Sequence, residues 1–371
     1  MMATNRDVRI MTIASSEQLA VVPVVDIAPG EHVRHAIEGR DRAQALREDC
    51  LAWLPGAVRT LLPAIDGATR LWLKRSASPY VGEIAAIAEA LDYPGIWFLN
   101  GCYQWGCTAL VREEDGAPWL ARTLDWPFPG LGRHVEIARM SGPAGAFASV
   151  TWPGFVGILT ACAPGRFAAS INQAPLRRRT RHPWLRACDI GLNAVATGRI
   201  RFMPPDHLLR QVFETCGSFA QARHRLETTP VARPVIYSLA GCRPGEGCVI
   251  ERTEESFESR EEDTAAANDW LRPRSAWEAR ISSRYMFKRS YEEAAARNLS
   301  RREGLAGWQG RFGQKSFDWV APPVLNAFTR IAVEMCPRHG ILRAAGYETP
   351  PESELAEPVT QVCEVATAVA A

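Results

Sequence analysis

Lysine is almost absent from this chain: of 43 basic residues in 371 positions, only Lys74, Lys288 and Lys315 are lysines. That skew toward arginine reads as codon bias. With 41 acidic residues in balance, there is no overall basic field of the kind nucleic acid demands. The single basic cluster, Arg177-Arg178-Arg179-Thr180-Arg181, reads as a solvated loop. Apolar runs of about 18 residues are also lacking, which argues against a transmembrane helix. Residues 1–17 hold no apolar core of the length a secretory signal needs, so the cytoplasm is the expected location. Ten cysteines occur without a CxxC pair, and Cys102/Cys107 and Cys242/Cys248 have no histidines at zinc-site spacing. No metal site is therefore expected. In a reducing compartment most of these thiols should behave as small buried hydrophobes. The glycines of Arg243–Gly247 are not followed by Gly-Lys-Ser/Thr, so they read as a hairpin turn and not as a phosphate loop.

What is present is a change of texture near residue 106. The first hundred residues read as helical, with breaks at Pro55 and Pro63 and a clean stripe at Ile84, Ile87, Ala88 and Leu91 that Tyr93-Pro94-Gly95 stops. Short apolar runs then follow: Cys107–Val111, Trp119–Leu124, Val135–Met140, Ala146–Trp152, Val156–Ala161 and Phe167–Ile171, with turn residues between them. Residues 184–227 return to helix, Val235–Leu239 and Cys248–Ile250 form a hairpin, and 282–296 and 323–335 read as helices. The order fits an α+β fold: a four-layer αββα sandwich of two antiparallel sheets behind an N-terminal helical segment. The expected divisions are 1–106 for the helical segment, 107–348 for the catalytic region and 349–371 for a loose tail.

The chemistry centres on Cys107. A hairpin turn at Glu113–Pro118 brings the strand starting at Cys107 beside the strand ending Arg122-Thr123-Leu124-Asp125. A thiol at one strand's start, with a cation and a carboxylate at the other's end, suggests an N-terminal-nucleophile hydrolase. A free cysteine of pKa about 8.5 needs a base or a cation to become a thiolate. Cleavage between Gly106 and Cys107 would expose an α-amine of ordinary pKa about 7.7–8.0, suited to shuttling that proton. Asp125 could orient the amine and Arg122 could stabilise the thiolate. Yet three residues' separation on one strand puts these two side chains on opposite faces. From residue types alone, a buried structural cysteine with a surface Arg and Asp nearby is the better account of the pattern. Cys102 is a weaker nucleophile candidate because it precedes the cleavage point. Nothing singles out His134 or His182 as a base for a papain-like Cys/His pair.

Further motifs follow in order: Gly154-Phe155-Val156-Gly157-Ile158-Leu159-Thr160, Pro164-Gly165-Arg166-Phe167, Ser170-Ile171-Asn172-Gln173, Gly245–Arg252, Asn268-Asp269-Trp270 and Pro323-Val324-Leu325-Asn326. Together with Val22–Ile27 and the Cys107 motif, this set resembles the acid ceramidase and N-acylethanolamine acid amidase family, relatives of the choloylglycine hydrolases. The resemblance runs to about Tyr347. It implies that Cys107 is the nucleophile, that Gly106–Cys107 is a self-cleavage site, and that Arg122 and Asp125 flank the thiol. Asn268 would contribute to the oxyanion hole. A further site arginine is Arg280 or Arg284, the latter preferred because Ser282-Ser283-Arg284-Tyr285 looks like a helix start in the choloylglycine relatives. Asn172-Gln173 stands where acid ceramidases have Asn-Glu, which takes a charge out of the site and argues for a neutral-pH enzyme. Trp126, Phe128, Trp152 and Phe155 lie on loops that border an acyl channel in that family.

The resemblance thus implies hydrolysis of a linear N-acyl amide, with no cofactor and with the N-terminal fragment retained as a non-covalent partner. Two alternatives remain open at this level: an acyltransferase that passes the acyl group to an amine, and a family member that never matures and serves in binding.

Overall fold

The computed structural model describes residues 19–102, 106–280 and 289–366. The chain enters through β1 (Val24–Ile27), and six helices follow: α1 (His32–Glu38), α2 (Arg40–Trp53), α3 (Gly56–Thr60), α4 (Leu62–Arg75), α5 (Val81–Leu91) and α6 (Ile96–Leu99). A β-rich stretch comes next, made of β2 (Gly106–Glu114), β3 (Ala117–Asp125), β4 (Glu136–Gly142), β5 (Gly145–Thr151), β6 (Thr160–Ala163), β7 (Phe167–Gln173) and the short β8 (Leu176–Arg177). Helices α7 (Arg186–Arg199), α8 (Pro205–Thr215) and α9 (Phe219–Thr228) lead to β9 (Val235–Ala240), β10 (Gly247–Arg252), β11 (Phe257–Arg260), β12 (Ala265–Ala266) and β13 (Trp277–Glu278). The last elements are α10 (Tyr291–Ala306), β14 (Thr329–Cys336), β15 (Ile341–Glu348), β16 (Glu357–Pro358) and β17 (Cys363–Ala366).

Two large sheets result. One runs β1-β4-β5-β6-β7-β9-β10-β11; the other runs β12-β2-β3-β14-β15-β16, with β17 also on β15. Among the described residues the strands of both sheets pair antiparallel except β1 on β4. The sheets face each other through β2 and β3 against β7 and β9, while α8 and α9 cover the outside of the first and α10 the outside of the second. This is the αββα sandwich expected. Strand alternation sorts the second sheet's side chains. Cys107, Val111, Leu120, Leu124, Ile331, Val333 and Met335 enter the inter-sheet core. Leu110, Trp119, Ala121 and Ala332 join Leu305 of α10 on the other side.

The β2–β3 hairpin sets the register that matters. Its two turn residues, Asp115 and Gly116, have φ of 51° and 71°, the double positive-φ geometry of a tight two-residue hairpin turn that Asp-Gly favours. That turn fixes Glu114 opposite Ala117 and, counted back along the ladder, Cys107 opposite Leu124 and Gly106 opposite Asp125.

Local signals account for the helices. Ile84, Ile87 and Leu91 are the buried stripe of α5, and Asp92 ends it in the left-handed conformation at φ 53°. Ser290 and Glu293 form a reciprocal capping box that starts α10. The N-terminal helices share the central apolar cluster, through Ala36, Leu46, Trp72, Ile84 and Trp97.

Three expectations need correction. The segment 323–335 is not a helix; its second half is β14, all eight of whose residues are buried. Both faces of that strand are buried, so Leu325, Phe328, Ala332 and Met335 imitate a helical stripe. Val156–Ala161 forms a strand only from Thr160 onward. The stretch expected as a loose tail adds β16 and β17 to the edge of β15, with Val365 buried.

Candidate active site

The site assembles at the start of β2. Because β12 runs antiparallel to β2 with Ala266 paired to Ala109, the chain beyond β12 carries Asn268 alongside Cys107. Asn268 Oδ1 accepts from the Cys107 backbone N–H at 2.6 Å, and its Nδ2 donates to the Gln173 carbonyl at 2.8 Å. Both residues are fully buried.

Arg122, across the ladder on β3, points the same way as Cys107, into the inter-sheet core. Its Nη2 donates to Cys107 Sγ at 2.9 Å and to the Ile171 carbonyl at 2.9 Å, and its Nη1 donates to Thr160 Oγ1 at 2.7 Å. The Cys107 thiol lies 3.5 Å from the same Ile171 carbonyl. No carboxylate forms an ion pair with Arg122 among the described residues. A guanidinium with no exposed surface and only neutral partners is costly to bury, and its natural complement is an ionised sulfur. Burial pulls the Arg122 pKa down, and the nearness of Cys107 and Asp125 opposes this. Burial likewise pushes the Cys107 thiol up to about 11; Arg122 opposes that shift, Asp125 adds to it, and Arg301 and a backbone hydrogen bond from Gln173 oppose it.

The alternation that separated Arg122 from Asp125 holds: Asp125 faces away from the inter-sheet core, toward α10. There Arg301 Nη1 donates to Asp125 Oδ2 at 2.8 Å and Nη2 donates to Asn268 Oδ1 at 3.0 Å. Asn326 Nδ2 and Thr329 Oγ1 hold the Asp125 carboxylate as well, at 2.9 and 3.1 Å. Asn298, one turn before Arg301, accepts from Arg301 at 2.7 Å and from the Asn268 N–H at 2.9 Å. Gly106 lies in this ring: a Cβ built on it would approach Asp125, Asn268 and Arg301 at 3.4–3.6 Å.

Arg301, Asn298, Thr160 and Thr329 are residues that sequence reading missed. The signal for two of them was the stripe Ala294, Asn298, Arg301, Leu305, a helical spacing whose middle positions are polar. Of the two arginines proposed instead, Arg280 donates from Nε to the Ala174 carbonyl and from its backbone N–H to the Asn268 carbonyl at 2.9 Å, so it neighbours the site without touching the thiol. Arg284 lies outside the described residues. Asn172 donates to the Ala266 and Ala267 carbonyls at 3.2 Å each and so fixes the approach to Asn268. Gln173 contributes its backbone carbonyl.

The histidines take no part: His134 lies 3.1 Å from Asp49, and His182 stacks on Trp184. Trp126 and Phe128, just past Asp125, help line an apolar cleft against the N-terminal helices, with Leu46, Leu54, Leu62 and Phe98. Trp152 packs edge-on against Trp126, and Phe155 against Trp152, so this pair stands behind the cleft wall. No cluster of three or more potential metal ligands occurs among the described residues. No helix there is long and apolar enough to cross a membrane.

No family model matches the chain. It is 30% identical over 182 residues to the N-acylethanolamine-hydrolyzing acid amidase of Oryctolagus cuniculus, covering 47% of this chain and 48% of that protein. It is 28% identical over 215 residues to a probable acid ceramidase of Caenorhabditis elegans, 52% of each chain. The solved structure of a Caenorhabditis elegans N-acylethanolamine-hydrolyzing acid amidase ortholog aligns with a TM-score of 0.46 at 17% identity, covering 62% of this chain and 93% of that one. The chain spans about half the length of the curated relatives it matches. Over that half it is a sequence relative of the N-acylethanolamine acid amidases and acid ceramidases, the proteins its motifs resemble.

Proposed function

We propose that this chain is a cysteine N-terminal-nucleophile amidohydrolase that cuts its own Gly106–Cys107 bond and then hydrolyses a linear amide, an N-acyl amide with an apolar acyl group. The observation that carries this reading is that both reactive atoms of Cys107 are held at once, the sulfur by Arg122 and the backbone nitrogen by Asn268. A merely structural cysteine needs neither contact.

In the maturation step Cys107 Sγ adds to the Gly106 carbonyl carbon. The peptide C–N bond breaks as its nitrogen takes up a proton, and water hydrolyses the resulting thioester. The products are a carboxylate on Gly106 and a free α-amine on Cys107. In the uncut chain burial pushes the thiol up to about 11, so the attacking sulfur gives up its proton as it adds to the Gly106 carbonyl, and the departing Cys107 nitrogen takes that proton up.

The α-amine, with an ordinary pKa of about 7.7–8.0, then takes the thiol proton. The thiolate attacks the substrate carbonyl, the ammonium returns the proton to the departing amine, and water hydrolyses the thioester. Asn268 Oδ1 keeps the amine in line. One N–H of its side-chain amide is given to Gln173, and the other is assigned to the oxyanion. Arg122 stabilises the thiolate. Asp125 and Arg301 hold Asn268 and the new terminus in register. The apolar cleft beside Trp126 and Phe128 takes the acyl chain.

Intact-mass measurement tests the reading directly. Two fragments divided before Cys107, absent in Cys107→Ala, are expected. A chain that stays whole across pH 4–9 overturns it.

A further inference from the structure

Asparagine is a poor choice for the middle of a helix, yet Asn298 sits near the centre of the 16-residue α10 and is 2% exposed. Its short amide competes with the helix backbone for hydrogen bonds, and burying it is unfavourable unless every polar atom finds a partner. Leucine there would suit both the helix and its neighbours on the buried stripe, Ala294 and Leu305. A residue that breaks the local rule at a buried position marks a place where something else decides. Its partners show what decides. Asn298 Oδ1 accepts from the Asn268 backbone N–H at 2.9 Å and from Arg301 Nη2 at 2.7 Å. Asn298 Nδ2 donates to the Arg280 carbonyl and to the Ala294 carbonyl, both at 2.9 Å. All four hydrogen-bonding places of the amide are filled. Two donors meet one end and two carbonyls the other, so only one orientation of the amide works.

Two of these contacts complete a pairing between separate pieces of chain. The Arg280 N–H donates directly to the Asn268 carbonyl at 2.9 Å. The return path, from the Asn268 N–H to the Arg280 carbonyl, runs through the Asn298 amide. One side chain thus stands in for a backbone peptide and splices both pieces to α10. Its remaining contact outside its own turn, Arg301, reaches on to Asp125 Oδ2 and Asn268 Oδ1. The Asn268 main chain is therefore fixed by Asn298 and Arg280, and its side chain by Gln173 and Arg301. What these restraints deliver is Oδ1 at 2.6 Å from the Cys107 nitrogen.

We propose that Asn298 is a positioning residue for the reaction at Cys107: its amide sets the place of Asn268, and through it the alignment of the Cys107 nitrogen. This rests on the amidohydrolase reading above and deepens it. With its own hydrogen-bonding places taken, Asn298 acts through Asn268 and Arg301 and not on the reacting atoms. A displacement of Asn268 by a few tenths of an ångström lengthens the contact to the Cys107 nitrogen and moves the N–H assigned to the oxyanion. Binding of the substrate's ground state depends on neither.

The test uses two variants and N-lauroylethanolamine as the probe substrate. Asn298→Leu keeps roughly the volume and removes every hydrogen bond; Asn298→Asp keeps the acceptor and removes the donors. In the folded Asn298→Leu protein kcat should fall at least tenfold while KM stays within about threefold. Asn298→Asp should recover part of that loss. Added to Asn268→Ala, Asn298→Leu should slow turnover by no more than about twofold further, because the two act as one unit. Unchanged kcat in folded Asn298→Leu, or a loss that adds in full to that of Asn268→Ala, refutes the positioning role while leaving the amidohydrolase intact. Hydrogen exchange in the Cys107→Ala protein removes dependence on turnover. With Asn298→Leu added, the amide at position 107 should exchange at least tenfold faster while that of Leu120 on β3 stays as protected as before. Equal loosening at both positions, or none at either, refutes the proposal even if no hydrolysis is ever seen, whereas absent hydrolysis in the wild type with selective loosening at 107 counts against the catalytic reading alone.

Discussion

Arg301 of α10 reaches across to Asp125 at the end of β3, its Nη1 lying 2.8 Å from the carboxylate Oδ2 while its Nη2 touches Asn268 Oδ1. One guanidinium therefore ties together the carboxylate opposite Gly106 and the amide that holds the Cys107 nitrogen. The Arg301 side chain is 13% exposed and Asp125 only 5%, so the pair is well shielded from screening. Arg301→Met should leave a buried carboxylate short of its cation and cost about 3–5 kcal/mol of stability. Chain cleavage should slow by more than its effect on folding explains, and Arg301→Lys should recover part of it. Thermal unfolding alongside the time course of cleavage separates the two effects; unchanged cleavage in a folded Arg301→Met protein would remove Arg301 from the site.

Asn268 gives a second prediction. Asn268→Ala removes the acceptor at the Cys107 nitrogen and the donor to Gln173 together. Turnover should fall about 10²–10³-fold, the loss typical for one oxyanion donor. KM for an N-acyl amide should change far less than kcat, because the ground state does not use that contact. A variant that loses only KM would reassign Asn268 to substrate binding.

The thiol's protonation supplies a third. Cys107 in the uncut chain is pushed up to about 11 by burial, with Arg122 pulling it down and Asp125 pushing it up. Iodoacetamide should therefore react slowly at neutral pH and faster as pH rises toward 11. Arg122→Gln should shift that profile to higher pH and Asp125→Asn to lower pH. The stability consequence has a definite sign. The folded chain keeps the proton that an unfolded cysteine, of pKa about 8.5, releases. This contribution is complete below about pH 8.5 and is lost between there and about 11. Denaturation midpoints of wild type should thus fall over that window more steeply than those of Cys107→Ala.

Much of this geometry was legible in the residues. Asp115-Gly116 is a turn signal with a mechanism, and counting back from it places Gly106 against Asp125 and Cys107 against Leu124. Gly116→Val should cost about 1–2 kcal/mol, since the turn needs positive φ there and a Cβ would meet nothing closer than 3.8 Å. A measured cost near zero would mean the hairpin tolerates another turn. By contrast, Arg301 was hidden. Its partner Asp125 lies 176 residues earlier, and only the packing of α10 on the second sheet brings the two together. The double-sided burial of β14 misled for a related reason, because periodicity reports one buried face and that strand has two.

The last prediction concerns what would keep the N-terminal segment in place after the proposed cut before Cys107. Glu136 on β4 is fully buried. His35 Nε2 of α1 approaches its Oε1 at 2.7 Å, and Arg42 Nη2 of α2 approaches Oε2 at 2.6 Å. Asn100 adds a second tie, accepting from the Val156 N–H at 2.8 Å and donating to the Gly154 carbonyl at 2.9 Å. Apolar burial supplies most of the adhesion, but it is non-directional. The contacts of Glu136 with His35 and Arg42 set where α1 and α2 sit, and so fix the α2 side of the cleft that Trp126 and Phe128 line. Glu136→Ala leaves the Arg42 guanidinium facing the sheet with no counter-charge and His35 without its partner, a loss of about 3–5 kcal/mol. In the uncut chain this should lower the melting temperature while the segment stays attached by its covalent link. In the cut protein, size-exclusion chromatography in mild urea should show the fragment leaving at a lower urea concentration than in wild type, with loss of amidase activity at the same point. Activity that survives departure of the fragment would show that the helical segment is dispensable to the site, and would move the acyl chain to a different cleft.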